Sequence, residues 1–304
     1  MWCFESFLTN AAKGETLECA VNPRLGRERE TAEPQKNGAG RVVVVIGAGP
    51  AGLSAAGILG LRGFKPVVLE KNAAVGGQLQ LANKPPKKEK INWCVADLER
   101  AALQHGAEIR CHVEAAPASV KALDPYAVIV ATGAKAVIPP VKGVELPHVC
   151  TVTEILNGSV RLQNRRVAVI GSGMTGLETA EKLAEDGNRI LVVEMMDRIA
   201  AGVHAQHVDD ILPRLKAYST DFITSHKLTG ISADGITLEN IADGRRREEK
   251  ADAVVLSVGV RSDRALAVQL RPHFSRLFMI GDARRVGRIP QAVRDGFDTA
   301  WNLR

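Results

Sequence analysis

Aromatic side chains are scarce in this sequence: seven Phe, three Trp and two Tyr make up 4% of its 304 residues. A chain with so few rings to stack on bases is not read as a nucleic-acid binder, although Lys and Arg outnumber Asp and Glu by 40 to 34. The resulting net charge of +6 sits in short loops such as Lys84–Lys90 and Arg245–Arg247 rather than on one long face. Cysteines are few, odd in number and unevenly spaced (Cys3, Cys19, Cys94, Cys111 and Cys150), none falls within 151–261, and no secretory signal precedes them. That excludes a disulfide scaffold and suggests a reduced, cytoplasmic setting. Metal-ligand spacing is also lacking. His204 and His207 beside Asp209 and Asp210 lie in a polar, loop-like segment without a third well-spaced ligand, so no metal site is expected.

What is present is ordinary globular composition, 45% hydrophobic and 24% charged, which excludes disorder and collagen. The length suggests about two domains. One uncharged run, the twenty residues Val42–Leu61, is long enough to cross a bilayer by count. Its five glycines and Pro50 divide it into a β-branched strand, a glycine turn and a small-residue helix, so a buried strand and helix are expected rather than a membrane span.

The chain repeats itself. Val42–Ile46 leads into Gly47-Ala48-Gly49-Pro50-Ala51-Gly52, a helical run to Arg62, and an apolar strand Val67–Leu69 ending at Glu70. Val167–Ile170 leads into Gly171-Ser172-Gly173-Met174-Thr175-Gly176, a helix to about Asp186, and Ile190–Val193 ending at Glu194. Gly47 to Gly171 and Glu70 to Glu194 are both 124 positions, and two further apolar strands run into Gly133 and Gly259, 126 positions apart. A lone G-x-G-x-x-G is weak evidence. Here each copy follows a strand, opens a helix and is followed eighteen residues after its last glycine by a carboxylate, which is the dinucleotide-binding pattern. The first glycine permits the turn, the second lets a pyrophosphate approach the backbone, and the third lets helix and strand pack. The helix N-terminus then faces the phosphates and the carboxylate accepts from ribose hydroxyls.

Two such folds imply two dinucleotides, FAD and an exchanging nicotinamide. The strand Phe278-Met279-Ile280 ends in Gly281-Asp282 without a fingerprint of its own. Asp282 is positioned to bond a ribitol chain, and a helix starting near Pro290-Gln291-Ala292 to aim its N-terminus at the flavin. This gives a discontinuous FAD domain, 39–160 plus 262–304, with an NAD(P) domain, 161–261, inserted in it and residues 1–38 as a loosely ordered linker. The expected fold is α/β, two Rossmann-like dinucleotide-binding domains.

The stretches Gly47–Ala56, Gly76-Gly77-Gln78-Leu79, Leu81-Ala82, Pro85-Pro86, Val130-Ala131-Thr132-Gly133 and Ile280-Gly281-Asp282-Ala283 resemble the flavin and nicotinamide half of the NADH:flavin oxidoreductases. That family includes dienoyl-CoA reductase, enoate reductases and trimethylamine dehydrogenase, and its two nucleotide domains are similar to those of thioredoxin reductase and the pyridine nucleotide-disulfide reductases. The resemblance implies that Ala115 lends its backbone to the FAD adenine and that Gly77 and Gln78 approach the flavin. Cys19–Glu28 is similar to the segment that carries the last cysteine of a four-iron cluster. Only Cys3 and Cys19 match that pattern: Phe7 stands in the third place and the first would precede Met1, so no 4Fe-4S cluster is expected. Nor is there room for the family's N-terminal FMN barrel, which needs roughly 250 residues.

The function expected from this pattern is hydride transfer from NADH to FAD N5, which requires ring stacking and no catalytic side chain. Electrons then pass to an unidentified acceptor without a dithiol relay, since 151–261 holds no cysteine. Alternatives are a non-catalytic dinucleotide-binding or partner-docking remnant, and a remnant unstable alone. Glu194 favours NADH over NADPH, unless Arg198 reaches a 2′-phosphate; Glu178 and Gly259 are taken with the same site, and Glu70 with the FAD ribose. Lys71 is either an adenine contact or a surface charge, and Arg284, Arg285 and Arg288 either a solvated basic loop or a contact for phosphate or an acidic partner. Besides dinucleotides, a separate FMN-barrel or iron–sulfur subunit and a homo-oligomer remain open as partners.

Overall fold

The computed structural model describes Cys3 and residues 10–304. They form two compact units: the chain up to residue 83 with 90–135 and 261–304, and residues 84–89 with 136–260.

Each unit is built on a five-stranded parallel sheet. In the first the strand order is Leu277–Met279, Ala127–Val130, Val42–Ile46, Lys65–Leu69, Glu108–Arg110. The second repeats it with Val149–Thr151, Ala253–Leu256, Arg166–Ile170, Arg189–Val193, Asp221–Ile223. Parallel strands covered on both faces read as unbroken apolar runs rather than alternating ones. Val43, Val44 and Val45 accordingly have no exposed surface. The uncharged run Val42–Leu61 is therefore a central strand, a turn and the twelve-residue helix Pro50–Leu61. Among the described residues no helix is long and apolar enough to cross a membrane.

The small residues of that helix admit neighbours at backbone distance. A Cβ on Gly60 would lie 2.0 Å from the carbonyl oxygen of His105, which follows the helix Ile91–Gln104, and one on Gly296 of the helix Ile289–Trp301 would lie 2.1 Å from that of Ala51. At its C-terminal end Arg62 is only 1% exposed and has no carboxylate partner among the described residues. Its guanidinium instead donates to the carbonyls of Ala300, Leu303 (2.9 Å) and Gln35 (3.2 Å) and to Asn37 Oδ1 (2.7 Å). A cation on the last carbonyls of Ile289–Trp301 complements that helix's dipole. In the second unit a three-stranded antiparallel sheet, His226–Ser232, Gly235–Asn240 and Arg246–Lys250, lays Ile231, Ile236 and Leu238 against Ala168, Ile170 and Leu191 of the parallel sheet.

Three expectations are corrected. Residues 136–160 lie in the second unit, because Val149–Thr151 pairs in parallel with Ala253–Leu256 and completes that sheet. The lysine-rich 84–89 belongs there too. Residues 18–38 are tied down: Arg27 pairs with Asp298 (2.6 Å), Arg294 with Glu18, and Thr31 is fully buried. A smaller difference concerns His207, which lies in the first turn of the helix Ala205–Ala217 rather than in a loop.

Candidate functional site

The glycines of the two turns divide into two kinds. Gly47 has φ +103°, and a Cβ there would lie 2.4 Å from the carbonyl oxygen of Ala131; one on Gly52 would lie 2.0 Å from that of Gly47. The second unit repeats this, with 2.3 Å from Gly171 to Ser257 O and 2.2 Å from Gly176 to Gly171 O. These four are glycine for packing. Gly49 and Gly173 are not: their φ of −74° and −60° suits any residue, and a Cβ on either meets nothing within 4 Å. Each is the N-cap of its helix, Pro50–Leu61 or Met174–Glu185, and no side chain caps either one. Open space in front of uncapped helical N–H groups is what a pyrophosphate requires, so the residues present fit a dinucleotide in each unit. Met174 and Thr175 lie in the first turn of the second helix, as Pro50 and Ala51 do in the first.

The two carboxylates sit in matching places. Glu70, 4% exposed, accepts from the N–H of Ala48 (2.8 Å) on Oε2 and from the backbone (2.9 Å) and amide (2.7 Å) of Asn72 on Oε1. Glu194, 9% exposed, accepts from the N–H (2.9 Å) and hydroxyl (2.6 Å) of Ser172 on Oε2 and from Met196 N (2.9 Å) on Oε1. A carboxylate has about four acceptor positions. Each is well supplied with donors that favour its charged form, and a carboxylate held in this way offers nothing to a phosphate. Burial pushes the Glu194 carboxyl up, but the Ser172 hydroxyl and the N–H groups of Met196, Ser172 and Met195 outweigh it and hold it below the ordinary carboxylate value.

Around the first turn, Gly76 N donates to Ala48 O (2.8 Å), and a Cβ on Gly77 would lie 3.1 Å from Gly49 Cα, so this segment closes over the glycine turn. Gln78 Nε2 donates to Ala134 O (3.3 Å). Ala131 N bonds Ile46 O (2.8 Å), Thr132 Oγ1 donates to Asp263 O (2.8 Å), and Gly133 takes φ +77°. Val113 N bonds Glu70 O (2.9 Å), which brings the chain leading to half-buried Ala115 alongside the carboxylate's strand end; Lys71 is exposed. Gly281, at φ +58°, is held by Asp295, which accepts its N–H (2.8 Å) and pairs with Arg284 (2.8 Å). Asp282 accepts only from Gly287 N (3.0 Å) among the described groups, and burial pushes its carboxyl above the ordinary value. Gln291 Oε1 accepts from Arg288 N (3.0 Å) and caps its own helix, and Ala292 is buried.

In the second unit Glu178 is half-buried in an ion pair with Lys88 (2.6 Å), and burial pushes its carboxyl up against that pairing. Gly259, at φ +95°, accepts at its carbonyl from Val137 N (3.0 Å). Arg198 is exposed. Sequence reasoning missed Asn72, Asp295, Lys88 and Ala200, whose N–H donates to Ser172 Oγ (3.0 Å). Only Asn72, two residues past the fingerprint's carboxylate, carried a signal that could have found it.

Among the described residues no group of three or more His, Cys, Asp or Glu side chains could hold a metal. Cys19 is half-buried and Cys3 exposed, and Phe7 lies outside the described residues. Burial pushes the Cys94 thiol up to about 11 and that of Cys150 to about 12. At pH 7.5 fewer than about one in a thousand of either is thiolate. Both should therefore resist alkylation in the folded protein and react once it is unfolded, as mass spectrometry would read; rapid native labelling of Cys150 would contradict its placement in the core.

Two uncapped glycine turns, each with a carboxylate bound back onto it, define a protein of two dinucleotide folds. The pattern of the pyridine nucleotide-disulphide oxidoreductases matches residues 41–296. The chain belongs to that family. It is 35% identical over 291 residues to an NADH oxidase of Thermoanaerobacter brockii, covering 94% of this chain and 44% of that protein. It is also 35% identical over 283 residues to a bilirubin reductase of Mediterraneibacter gnavus, covering 92% and 43%. The chain thus spans less than half the length of these relatives. Among solved structures a 2-naphthoyl-CoA reductase matches with a TM-score of 0.89 at 28% identity, over 95% of this chain and 44% of that one. The thioredoxin reductase of T. acidophilum, at 0.66 and 21% identity over 86% and 97%, shows the shared fold.

Proposed function

We propose that this chain is the electron-input module of an NADH:flavin oxidoreductase, with FAD in the first unit and NADH in the second. When bound, the two cofactors supply the redox chemistry, a hydride passing from nicotinamide to flavin N5. The protein's own work is binding and orientation. Gly49 and Gly173 leave room for the pyrophosphates, the helices behind them present N–H groups, and Glu70 and Glu194 accept from adenosine ribose hydroxyls. Asp282, with acceptor capacity to spare, faces the ribitol.

The observation that carries this reading is the pair of glycines, Gly49 and Gly173, that neither backbone conformation nor packing explains. Glu194 supports NADH over NADPH. The absence of cysteine from 151–261 supports electron exit without a dithiol relay. The relatives are named for an oxidase and for reductases of unlike substrates, which fits an acceptor chosen outside this module.

The test is an anaerobic visible spectrum of the purified chain. A flavin band near about 450 nm that bleaches with NADH, and far more slowly with NADPH, is expected. Bound flavin that neither nucleotide bleaches would favour a binding or docking role, and folded protein free of flavin would end the enzymatic reading.

A further inference from the structure

The two glycine turns differ at one buried position. The first has Ala48, which gives Glu70 only its N–H. The second has Ser172, fully buried, whose hydroxyl donates to Glu194 Oε2 (2.6 Å) and accepts from Ala200 N (3.0 Å). Ala200 is 4% exposed and takes φ +59°. A side-chain-bearing residue holds that left-handed conformation only where its surroundings enforce it, and such residues gather at ligand clamps. Between Glu194 and Ala200 runs an exposed segment with Met195 58% and Met196 50% exposed, followed by Asp197 and Arg198. It is pinned at one end by Met196 N on Glu194 Oε1 (2.9 Å) and at the other by Ala200 N on Ser172 Oγ. A single hydroxyl therefore joins the turn, the carboxylate and the far end of the loop.

We infer that Ser172 is a positioning residue for the second dinucleotide. Its hydroxyl fixes the 195–200 loop against the glycine turn, holds the Glu194 carboxylate toward an unphosphorylated adenosine ribose, and sets the exposed thioethers of Met195 and Met196 beside it as apolar surface for the adenine. The same clamp keeps Arg198 from swinging to a 2′-phosphate, so it is a source of discrimination between the two nicotinamide dinucleotides. This rests on the second unit being the nicotinamide site.

The test uses the purified full chain. Calorimetric titration with NAD⁺ and NADP⁺ should show Ser172→Ala weakening NAD⁺ about tenfold, the scale of a hydrogen bond to a charged group, with NADP⁺ changed far less. Turnover at saturating NADH should stay within about twofold, so that the effect appears in KM rather than kcat. Amide hydrogen exchange should be slow at Ala200 in the native protein without ligand and faster in Ser172→Ala. Ser172→Thr, which keeps the hydroxyl, should remain near the native affinity. Alanine at the matching position of the first turn shows that this turn folds without the hydroxyl. Unchanged NAD⁺ affinity in a folded Ser172→Ala, or rapid exchange at Ala200 in the native protein, would overturn the clamp alone. Failure of the native chain to bind either nucleotide would overturn the functional reading beneath it.

Discussion

Gly49→Val is expected to give folded protein without flavin. The argument is in the space: a Cβ at Gly49 meets no atom within 4 Å, and its φ of −74° is open to valine. The cost to the apoprotein is the poorer N-cap, about 1 kcal/mol or less. The same substitution takes the volume in which a pyrophosphate would touch the backbone, and loss of flavin affinity by more than about a hundredfold should follow, since phosphate contact through N–H groups is the main polar anchor of such a site. Gly52→Val is the contrasting control. Its Cβ would lie 2.0 Å from Gly47 O, so it should impair folding itself. Flavin content by absorbance, with circular dichroism for the fold, separates the two. Native flavin occupancy in folded Gly49→Val would mean that the first turn does not hold the cofactor.

Glu194→Arg should reverse nucleotide preference. In the proposed site the native carboxylate would accept a 2′-hydroxyl and repel a 2′-phosphate, whereas a guanidinium would pair with the phosphate through a bidentate fork. Two charge-assisted effects of opposite sign combine, so the NADH to NADPH ratio of kcat/KM should fall by about a hundredfold or more. Glu194→Gln should lose NADH affinity without gaining NADPH, because it removes the charge and supplies no cation. An unchanged ratio in Glu194→Arg would remove the second site from this position. pH offers a further check. The Glu194 carboxyl is held below its ordinary value of 4.5, so its stabilising contribution is complete above that value and is lost as pH falls through the lower, folded value. Glu194 should accordingly stay charged from neutral pH down to about 5, and a change of preference in that range should follow the 2′-phosphate, whose second ionisation lies near about pH 6.

Both turns were legible in the sequence because their signals are local: glycines two and then three positions apart, a helix start, a carboxylate eighteen residues on. Limits of the units were harder. Val149–Thr151 is three residues long and joins the second sheet by pairing with Ala253–Leu256, roughly a hundred positions away, a choice made by tertiary packing rather than by anything within the strand. Composition misled at residues 18–38. Their charges look like those of a solvated linker, yet Arg27 finds Asp298 271 positions later. Ser172 was visible as a fingerprint position, while its second role was not, since Ala200 becomes its partner only through a left-handed turn that alanine does not advertise. At Gln291 the sequence pointed to a helix start but not to the local cap that its side chain forms there.

The interleaving of the two units also orders events during synthesis. Every residue of the second unit, 84–89 and 136–260, has been made before Leu277–Met279 and Ile289–Trp301 exist. Until those two elements arrive, the first sheet lacks its outer strand beside Ala127–Val130, and the face of Pro50–Leu61 that receives Gly296 is bare. The inserted unit can close early; the first unit must wait with an open apolar surface. A stall in translation after residue 260 would therefore leave one known face open to chaperones and proteases, that of the small-residue helix behind the first glycine turn.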